Sequence, residues 1–195
     1  PNLLIFNSGK PQEQLIGNVP EKQIIDILNN KGLNFHFNVI GPIQHLEYEK
    51  EIKNKIIKYK LENKITLMGL LPYSEIFKYI EKAIVGLLCY LPEPNHLVTF
   101  PNKIFEYISM GTPVIASNFP LYKEIITKAN CGMLVDPLNP TDIANKIQLS
   151  LESKDEMNKL GTNGKLAILE NYNWEMEEIK LLEFYNKIIG TINEN

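Results

Sequence analysis

Six short apolar runs recur along the first 136 residues of the chain, and stretches of helical periodicity separate them. Short apolar runs of this kind are typical of strands buried inside a sheet. Strands that alternate with helices pair in parallel, because each crossover helix packs back onto the sheet. The predicted strands are residues 3–6, 35–40, 65–68, 84–89, 113–116 and 132–135.

Apolar residues at helical spacing fill the segments between the runs, and they continue through the chain after residue 136. The predicted fold is therefore α/β: a Rossmann-like parallel sheet of about six strands with helices on both faces, followed by C-terminal helices. With 195 residues, of which 44% are hydrophobic, we expect a single domain over residues 1–195. The predicted helices are residues 21–30, 46–61, 73–82, 102–110, 121–128, 141–151, 154–170 and 174–189.

Local signals refine the helices. Ser74, Thr141 and Asn173 each precede an acidic first turn and are predicted N-caps. The glycines of Gly161-Thr-Asn-Gly164 resemble a nucleic-acid clamp, but no basic patch surrounds them, so we expect a helix interruption there. Trp174, near a helix start, is predicted to anchor the core.

Composition limits the partners. The net charge of −3 argues against nucleic acid, and every cation is Lys, so phosphate contacts must come from Lys or from backbone N–H groups. Cys89 and Cys131 are typical of buried thiols and indicate a reducing, cytoplasmic compartment. No apolar run is long enough to span a bilayer, so no transmembrane segment is predicted. The histidines His36, His45 and His96 lack metal-site spacing, and no metal is expected.

The loop over residues 90–101 and the helix after it form the strongest candidate site. In an open parallel sheet ligands bind beyond the carboxyl ends of the strands, and this loop is long and rich in proline. Pro101 leads into a helix start, where the N–H groups of Asn102 and Lys103 and the Lys103 amine can converge on a diphosphate. Glu106, one turn later, can accept hydrogen bonds from a ribose diol. A plain surface pair between Lys103 and Glu106 is an equally good interpretation of the spacing.

The first predicted βα loop, Asn7-Ser-Gly9-Lys10-Pro, carries a second, weaker signal. It lacks the leading glycine and the Ser or Thr after the lysine that a Walker motif needs. Gly9 and Lys10 can still reach a phosphate from across the cleft, although a plain turn is the favoured interpretation. His96, inside the 90–101 loop, is a further weak candidate.

Residues 101–117, Pro-Asn-Lys-Ile-Phe-Glu-Tyr-Ile-Ser-Met-Gly-Thr-Pro-Val-Ile-Ala-Ser, resemble the donor-site motif of group 1 (family 4) retaining glycosyltransferases. Residues 65–76 resemble the strand, glycine loop and helix that flank the nucleotide base in that family. Residues 131–137 and 172–175 also resemble it. From about residue 3 to residue 189 the chain is similar to the C-terminal, nucleotide-sugar-binding half of a GT-B enzyme.

The resemblance implies a UDP- or GDP-sugar donor. It implies that Glu106 clamps the ribose, that the backbone around Pro101 and Asn102 cradles the diphosphate, and that Leu71 and Pro72 border the base. Two departures from the family pattern affect the sugar and the leaving group. Val98, followed by Thr99, stands where the family usually has a second Glu against the donor sugar, and the usual Arg and Lys after the first strand are reduced to Lys10.

The resemblance also implies a division of labour. The acceptor, a glycan or a lipid-linked molecule, is expected to bind an N-terminal half that is absent from this chain, so no catalytic residue is assigned here. The whole enzyme is expected to transfer a hexose without a cofactor in the cytoplasm, with any attachment to the inner membrane face made through the absent half. Two alternatives stay open: a non-catalytic nucleotide-binding or interaction module, suggested by Val98 and the absence of Arg, and a sugar-nucleotide epimerase of the same shape.

Overall fold

The computed structural model describes residues 2–6, 21–43 and 46–193, and it contains six strands and nine helices within those ranges. The strands confirm all six predicted runs with ends shifted by at most one residue. The elements in chain order are β1 (Asn2–Phe6), α1 (Glu21–Asn30), β2 (His36–Ile40), α2 (Leu46–Lys58), β3 (Ile65–Gly69), α3 (Tyr73–Lys82), β4 (Ala83–Leu88), α4 (Pro94–Val98), α5 (Asn102–Ser109), β5 (Val114–Ser117), α6 (Pro120–Ala129), β6 (Gly132–Val135), α7 (Pro140–Glu152), α8 (Lys154–Asn171) and α9 (Trp174–Asn193).

The six strands form one parallel sheet in the order β3-β2-β1-β4-β5-β6. The chain moves outward from β1 to β3, then returns to place β4 on the other side of β1. This reversal opens a crevice at the carboxyl ends of β1 and β4, the position where ligands bind in sheets of this type. The segment that leaves β4 therefore enters the crevice directly.

Both faces of the sheet are covered, which explains why the strands are continuous apolar runs. Along β4 and β5 the side chains alternate between two buried clusters: Val85 and Ile115 point to one, and Leu88 and Val114 to the other. Helices α1 and α7 contribute to the first cluster, and α3, α5 and α6 to the second. The predicted arrangement of helices on both faces is confirmed.

The helix ends differ from the prediction where proline is involved. The prediction made Thr141 the N-cap of α7, but the cap is Asn139, whose Oδ1 accepts hydrogen bonds from the N–H groups of Thr141 at 3.1 Å and Asp142 at 3.2 Å. Pro140 is the first residue of the helix, a position that tolerates proline because its N–H would have no intrahelical partner. Pro140 was predicted to lie in a loop, but it is the first residue of the helix.

Of the other two predicted N-caps, one is wrong and one is confirmed. Ser74 lies inside α3, because that helix begins one residue earlier, after Pro72. Asn173 is an N-cap as predicted: its Oδ1 accepts the N–H of Met176 at 2.9 Å. Most remaining helix ends agree within two residues, although α2 stops at Lys58 rather than at 61, just before Lys60 adopts a left-handed φ of 55°.

The predicted helix interruption at Gly161 and Gly164 is wrong, since α8 runs through both without a break. The glycines are needed for close packing. A Cβ on Gly161 would lie 2.0 Å from the carbonyl oxygen of Gly111, and a Cβ on Gly164 would lie 2.8 Å from Cβ of Ile108. The two glycines therefore let α8 approach the end of α5 and the turn that follows it.

The prediction that Trp174 anchors the core is also wrong. Its side chain is 70% exposed, and every residue of α9 from 174 to 189 is exposed. The helical pattern correctly predicted α9, but a pattern does not say which surface covers an apolar face. Within the ranges that the structure describes, the large apolar side chains of α9 are all exposed, from 38% at Met176 to 70% at Trp174: Trp174, Met176, Ile179, Leu181, Leu182, Phe184, Tyr185, Ile188 and Ile189. None of the helices in those ranges is both long enough and apolar enough to cross a bilayer.

Both cysteines are free and buried, as predicted. Burial raises the pKa of Cys89 to about 12 and that of Cys131 to about 11. Since the thiolate is the reactive form, about one thiol in a thousand or fewer is ionised at pH 8. We expect neither cysteine to react with Ellman's reagent within an hour at pH 8 in the folded chain. Both should react in about 6 M guanidinium, which unfolds the chain. Rapid modification without denaturant would contradict this burial.

Candidate functional site

The chain leaves β4 at the carboxyl edge of the sheet and forms a short helix, α4, where a loop over residues 90–101 was predicted. Pro94 begins α4, and the proline-rich composition concealed it. His96 is the buried contact of this helix: its Nδ1 donates to the carbonyl oxygen of Leu91 at 3.0 Å, and its ring stacks on Tyr90 with centroids 4.7 Å apart. His96 therefore holds α4 against the sheet.

The helix α5 begins at Asn102, as predicted, and its N-cap residue is Pro101. The Pro101 side chain offers no acceptor to the first-turn N–H groups, which by helix geometry lack acceptors within the helix. Asn102 is exposed and Lys103 is half-buried. The Lys103 ammonium donates to the hydroxyl of Tyr90, with 3.5 Å between Nζ and the oxygen. This end of α5 thus combines the positive end of a helix dipole with an ammonium group.

Tyr90 is fixed in turn by the sheet. The Ser117 hydroxyl, at the end of β5, donates to the carbonyl oxygen of Tyr90 at 2.6 Å. The Tyr90 side chain is buried in the second cluster and stacks on His96. Tyr90 was not among the predicted site residues, although its place directly after a predicted strand put it at the carboxyl edge of the sheet.

Glu106 lies in the second turn of α5 and is half-buried. Its Oε1 accepts a hydrogen bond from the hydroxyl of Tyr73, at 3.5 Å. Desolvation, the negative charge of Glu106 and this hydrogen bond together raise the pKa of Tyr73 above its ordinary value. The hydrogen bonds described here therefore join Lys103 to Tyr90 and Glu106 to Tyr73. Tyr73, the first residue of α3, was not among the predicted site residues.

Contact between Tyr73 and Glu106 brings the loop after β3 beside α5. Gly69 turns that loop with a φ of 65°, a conformation that favours glycine. Leu71 is half-buried against the second cluster, whereas Pro72 and Leu70 are exposed. The residues predicted to border a base therefore lie on the same side of the sheet as the residues predicted to hold a ribose.

The positions predicted to meet a donor sugar lie at the end of α4. Val98 is its last residue and is 72% exposed. The Thr99 hydroxyl donates to the carbonyl oxygen of Asn95 at 2.8 Å and so closes the helix. Gly9 and Lys10, the candidates in the first βα loop, lie outside the described residues, as does His45. Among the residues whose positions are described, no group of three or more His, Cys, Asp or Glu side chains is arranged to hold a metal ion.

The second turn of α5 is held from behind. A Cβ on Gly86 of β4 would lie 2.7 Å from three atoms of the Tyr107 ring, so the ring face rests directly on the strand. The Thr112 hydroxyl, just after α5, donates to the carbonyl oxygen of Ile80 in α3 at 2.6 Å. Helix α8 packs against the remaining side through Gly161 and Gly164. The backbone that presents Glu106 is therefore fixed by the sheet and two helices.

Comparison with known proteins agrees with this geometry. The family model for glycosyl transferases group 1 matches residues 10–167. The chain belongs to this family. An uncharacterized glycosyltransferase of Methanocaldococcus jannaschii is 29% identical to it over 173 residues, which are 87% of this chain and 46% of that relative.

Two solved structures share the group 1 glycosyltransferase fold with it. Sucrose-phosphate synthase from Thermosynechococcus elongatus superposes with a TM-score of 0.78 at 20% identity, over 98% of this chain and 46% of that one. Anabaena HepE in complex with UDP and glucose superposes with a TM-score of 0.75 at 19% identity, over 95% of this chain and 48% of that one. The predicted family and fold, one half of a GT-B enzyme, are confirmed, and the chain spans about half the length of these proteins.

Proposed function

We propose that this chain is the nucleotide-sugar-binding domain of a retaining glycosyltransferase and that it binds a UDP- or GDP-sugar at the start of α5. The single observation that carries the proposal is Glu106, a half-buried carboxylate one turn inside a helix whose N-terminus opens at the carboxyl edge of the sheet. A diphosphate suits that N-terminus, and a ribose diol suits the carboxylate beside it. The complex of Anabaena HepE with UDP and glucose supports the same ligand class.

The diphosphate is proposed to lie against the first turn of α5. The N–H groups of Asn102 and Lys103 point out of the helix start after Pro101, and the Lys103 ammonium adds a full charge beside them. The hydroxyl of Tyr90 holds that ammonium at the helix start. Because the chain contains no Arg, contacts to the diphosphate depend on Lys side chains and backbone N–H groups such as these. Gly9 and Lys10 are proposed to approach the phosphates from the first βα loop.

The base and the sugar extend from opposite ends of the diphosphate and ribose. We place the base against Leu71 and Pro72, because the contact between Tyr73 and Glu106 brings their loop next to the ribose site. We place the sugar toward Val98 and Thr99, at the exposed end of α4. Val98 offers only an apolar surface, so polar contacts to the sugar must come from other groups.

In the whole protein, a second domain that binds a glycan or lipid-linked acceptor completes the reaction. The bond between the anomeric carbon of a hexose and the diphosphate oxygen breaks. The nucleoside diphosphate leaves with the bonding electron pair and so gains negative charge. The anomeric carbon bonds to an acceptor hydroxyl oxygen, whose proton passes to the leaving diphosphate or to solvent, and the configuration is retained. Donors at the start of α5 stabilise the leaving diphosphate, so no metal or cofactor is needed. We therefore expect little or no turnover from this chain alone.

Nucleoside diphosphates are expected to stabilise the chain, because a ligand that binds only the folded state raises the free energy of unfolding. At a concentration one hundred times Kd the gain is ~2.7 kcal/mol, or about 5–10 °C in Tm for a domain of this size. Thermal unfolding with UDP, GDP and UDP-glucose, with uridine and inorganic phosphate as controls, measures this. No shift with any nucleoside diphosphate would reject the proposal.

The exposed apolar side chain of Val98 favours a second candidate, a non-catalytic module that binds nucleotides without transferring sugar. The two functions are separated by joining the chain to the rest of its protein and following a radiolabelled sugar from donor to acceptor. Transfer supports the glycosyltransferase, and binding without transfer supports the module. Interconversion of the donor sugar in the absence of acceptor would instead indicate an epimerase.

A further inference from the structure

We infer that Tyr73 is a positioning residue for the nucleotide site: its hydroxyl holds the Glu106 carboxylate in the orientation that accepts the two ribose hydroxyls. The inference rests on the proposed function, in which Glu106 binds ribose. It adds a residue from a different βα unit to the site, and it makes recognition of ribose depend on the packing of α3 against α5.

The contact joins two residues that are far apart in the sequence. Tyr73 begins α3 and Glu106 lies in α5, and the Tyr73 hydroxyl is 3.5 Å from Oε1 of Glu106. The Tyr73 side chain is 63% exposed, so burial does not account for where its hydroxyl points. Desolvation raises the pKa of Tyr73 most, and the negative charge of Glu106 and this hydrogen bond raise it further.

The Tyr73 ring is itself held in place. Phe77, one turn along α3, meets it edge-on with ring centroids 5.0 Å apart and an interplanar angle of 86°. This is a preferred geometry for aromatic pairs. The helix carrying both rings is fixed to the turn after α5 by the fully buried Ile80, whose carbonyl oxygen accepts from Thr112 at 2.6 Å. Helix packing and the contact with Phe77 therefore place the Tyr73 ring beside Glu106.

The chemistry leaves room for ribose. A carboxylate has two oxygens and about four lone-pair sites, and Tyr73 occupies one site on Oε1. A second site on Oε1 and both sites on Oε2 stay open to the 2′- and 3′-hydroxyls. A glutamate side chain has several rotatable bonds, so a donor that fixes its carboxylate before the ligand arrives reduces the entropy lost on binding.

Substitution of Tyr73 by Phe tests the inference, because Tyr73→Phe keeps the ring and its contact with Phe77 and removes only the hydroxyl. Isothermal titration gives Kd for UDP and 2′-deoxy-UDP, with GDP and 2′-deoxy-GDP in parallel. We expect Tyr73→Phe to weaken the ribonucleotide by about three- to tenfold, the range for one modest hydrogen bond. We expect a smaller change for the deoxynucleotide, so that the preference for ribose falls.

Two further variants isolate the effect. In a background of Glu106→Ala, which removes the acceptor, adding Tyr73→Phe is expected to cause less loss than it does alone, since the two side chains act through one contact. Tyr185→Phe is the matched control: Tyr185 is 54% exposed and also meets a neighbouring phenylalanine, Phe184, edge-on, but it lies on α9. Its affinities for all four nucleotides should equal those of the unmodified chain.

The outcomes separate this inference from the proposed function. If the unmodified chain binds neither UDP nor GDP, the proposed function fails, and the inference fails with it. If it binds and prefers ribose, but Tyr73→Phe keeps the same preference, only the inference is overturned. Tighter ribonucleotide binding by Tyr73→Phe would also overturn it, because the hydroxyl would then compete with ribose for Glu106.

Discussion

Replacement of Gly161 by alanine is expected to destabilise the fold by at least about 3 kcal/mol, at the upper end of overpacking effects. The new Cβ would lie 2.0 Å from the carbonyl oxygen of Gly111 and 3.0 Å from its carbonyl carbon. Both atoms belong to backbone, so no side-chain rotation relieves the clash. Alanine is otherwise the better helix former by about 1 kcal/mol, which makes the sign of the effect informative. Urea unfolding followed by circular dichroism measures it.

The neighbouring residue supplies the control. Thr162 is exposed on the same helix, and its hydroxyl donates to the carbonyl oxygen of Asn158. We expect Thr162→Ala to change the free energy of unfolding by no more than about 0.5 kcal/mol. Gly164→Ala should fall between the two, because its new Cβ would lie 2.8 Å from Cβ of Ile108, a less severe overlap than the 2.0 Å at Gly161. A urea midpoint for Gly161→Ala equal to or above that of the unmodified chain would show that α8 does not approach Gly111 this closely.

Replacement of Glu106 by alanine is expected to weaken the binding of UDP or GDP by about a hundredfold. In the proposed site the carboxylate accepts two hydroxyl hydrogen bonds, and hydrogen bonds to charged groups contribute about 1.5–3 kcal/mol each. A net loss of ~3 kcal/mol corresponds to roughly two orders of magnitude in Kd. Titration calorimetry measures it, and the stabilisation of the chain by nucleotide should fall in parallel.

Glu75 provides the matched control for this change. It is a half-exposed glutamate on α3, and its carboxylate pairs with Lys78 at 3.0 Å. An exposed ion pair of this kind contributes little, so Glu75→Ala should leave both Kd and stability nearly unchanged. If Glu106→Ala bound the nucleotide with unchanged affinity, the proposed role of Glu106 at the centre of the site would be contradicted, whatever the control shows.

The strands of the sheet were predictable because each one is marked by a short apolar run in its own sequence. A strand covered by helices on both faces must be apolar along its whole length, and the run over residues 84–89 shows this for β4. The helix α4 was not predictable, since it has five residues, begins at Pro94 and is stabilised by the burial of His96 rather than by its own periodicity. Proline hid the start of α7 for the same reason.

The candidate site was predictable only in part. Glu106 and Lys103 follow from the periodicity of one helix and from its place after a strand. Tyr73 does not, because its contact with Glu106 exists only once α3 and α5 pack together. The error at Trp174 has a related cause: its periodicity predicted a helix correctly, but the partner surface that would bury it is not encoded in the helix.

Because α8 approaches α5 closely, residues that a ligand would not touch also affect the proposed site. Gly161 and Gly164 meet no proposed ligand, yet they determine how far the end of α5 sits from the helix behind it. A displacement of α8 would move Gly111 and the turn that ends α5, and with it the carboxylate of Glu106. We therefore expect substitutions at Gly161 or Gly164 to change affinity at the proposed nucleotide site, although neither residue would contact the ligand.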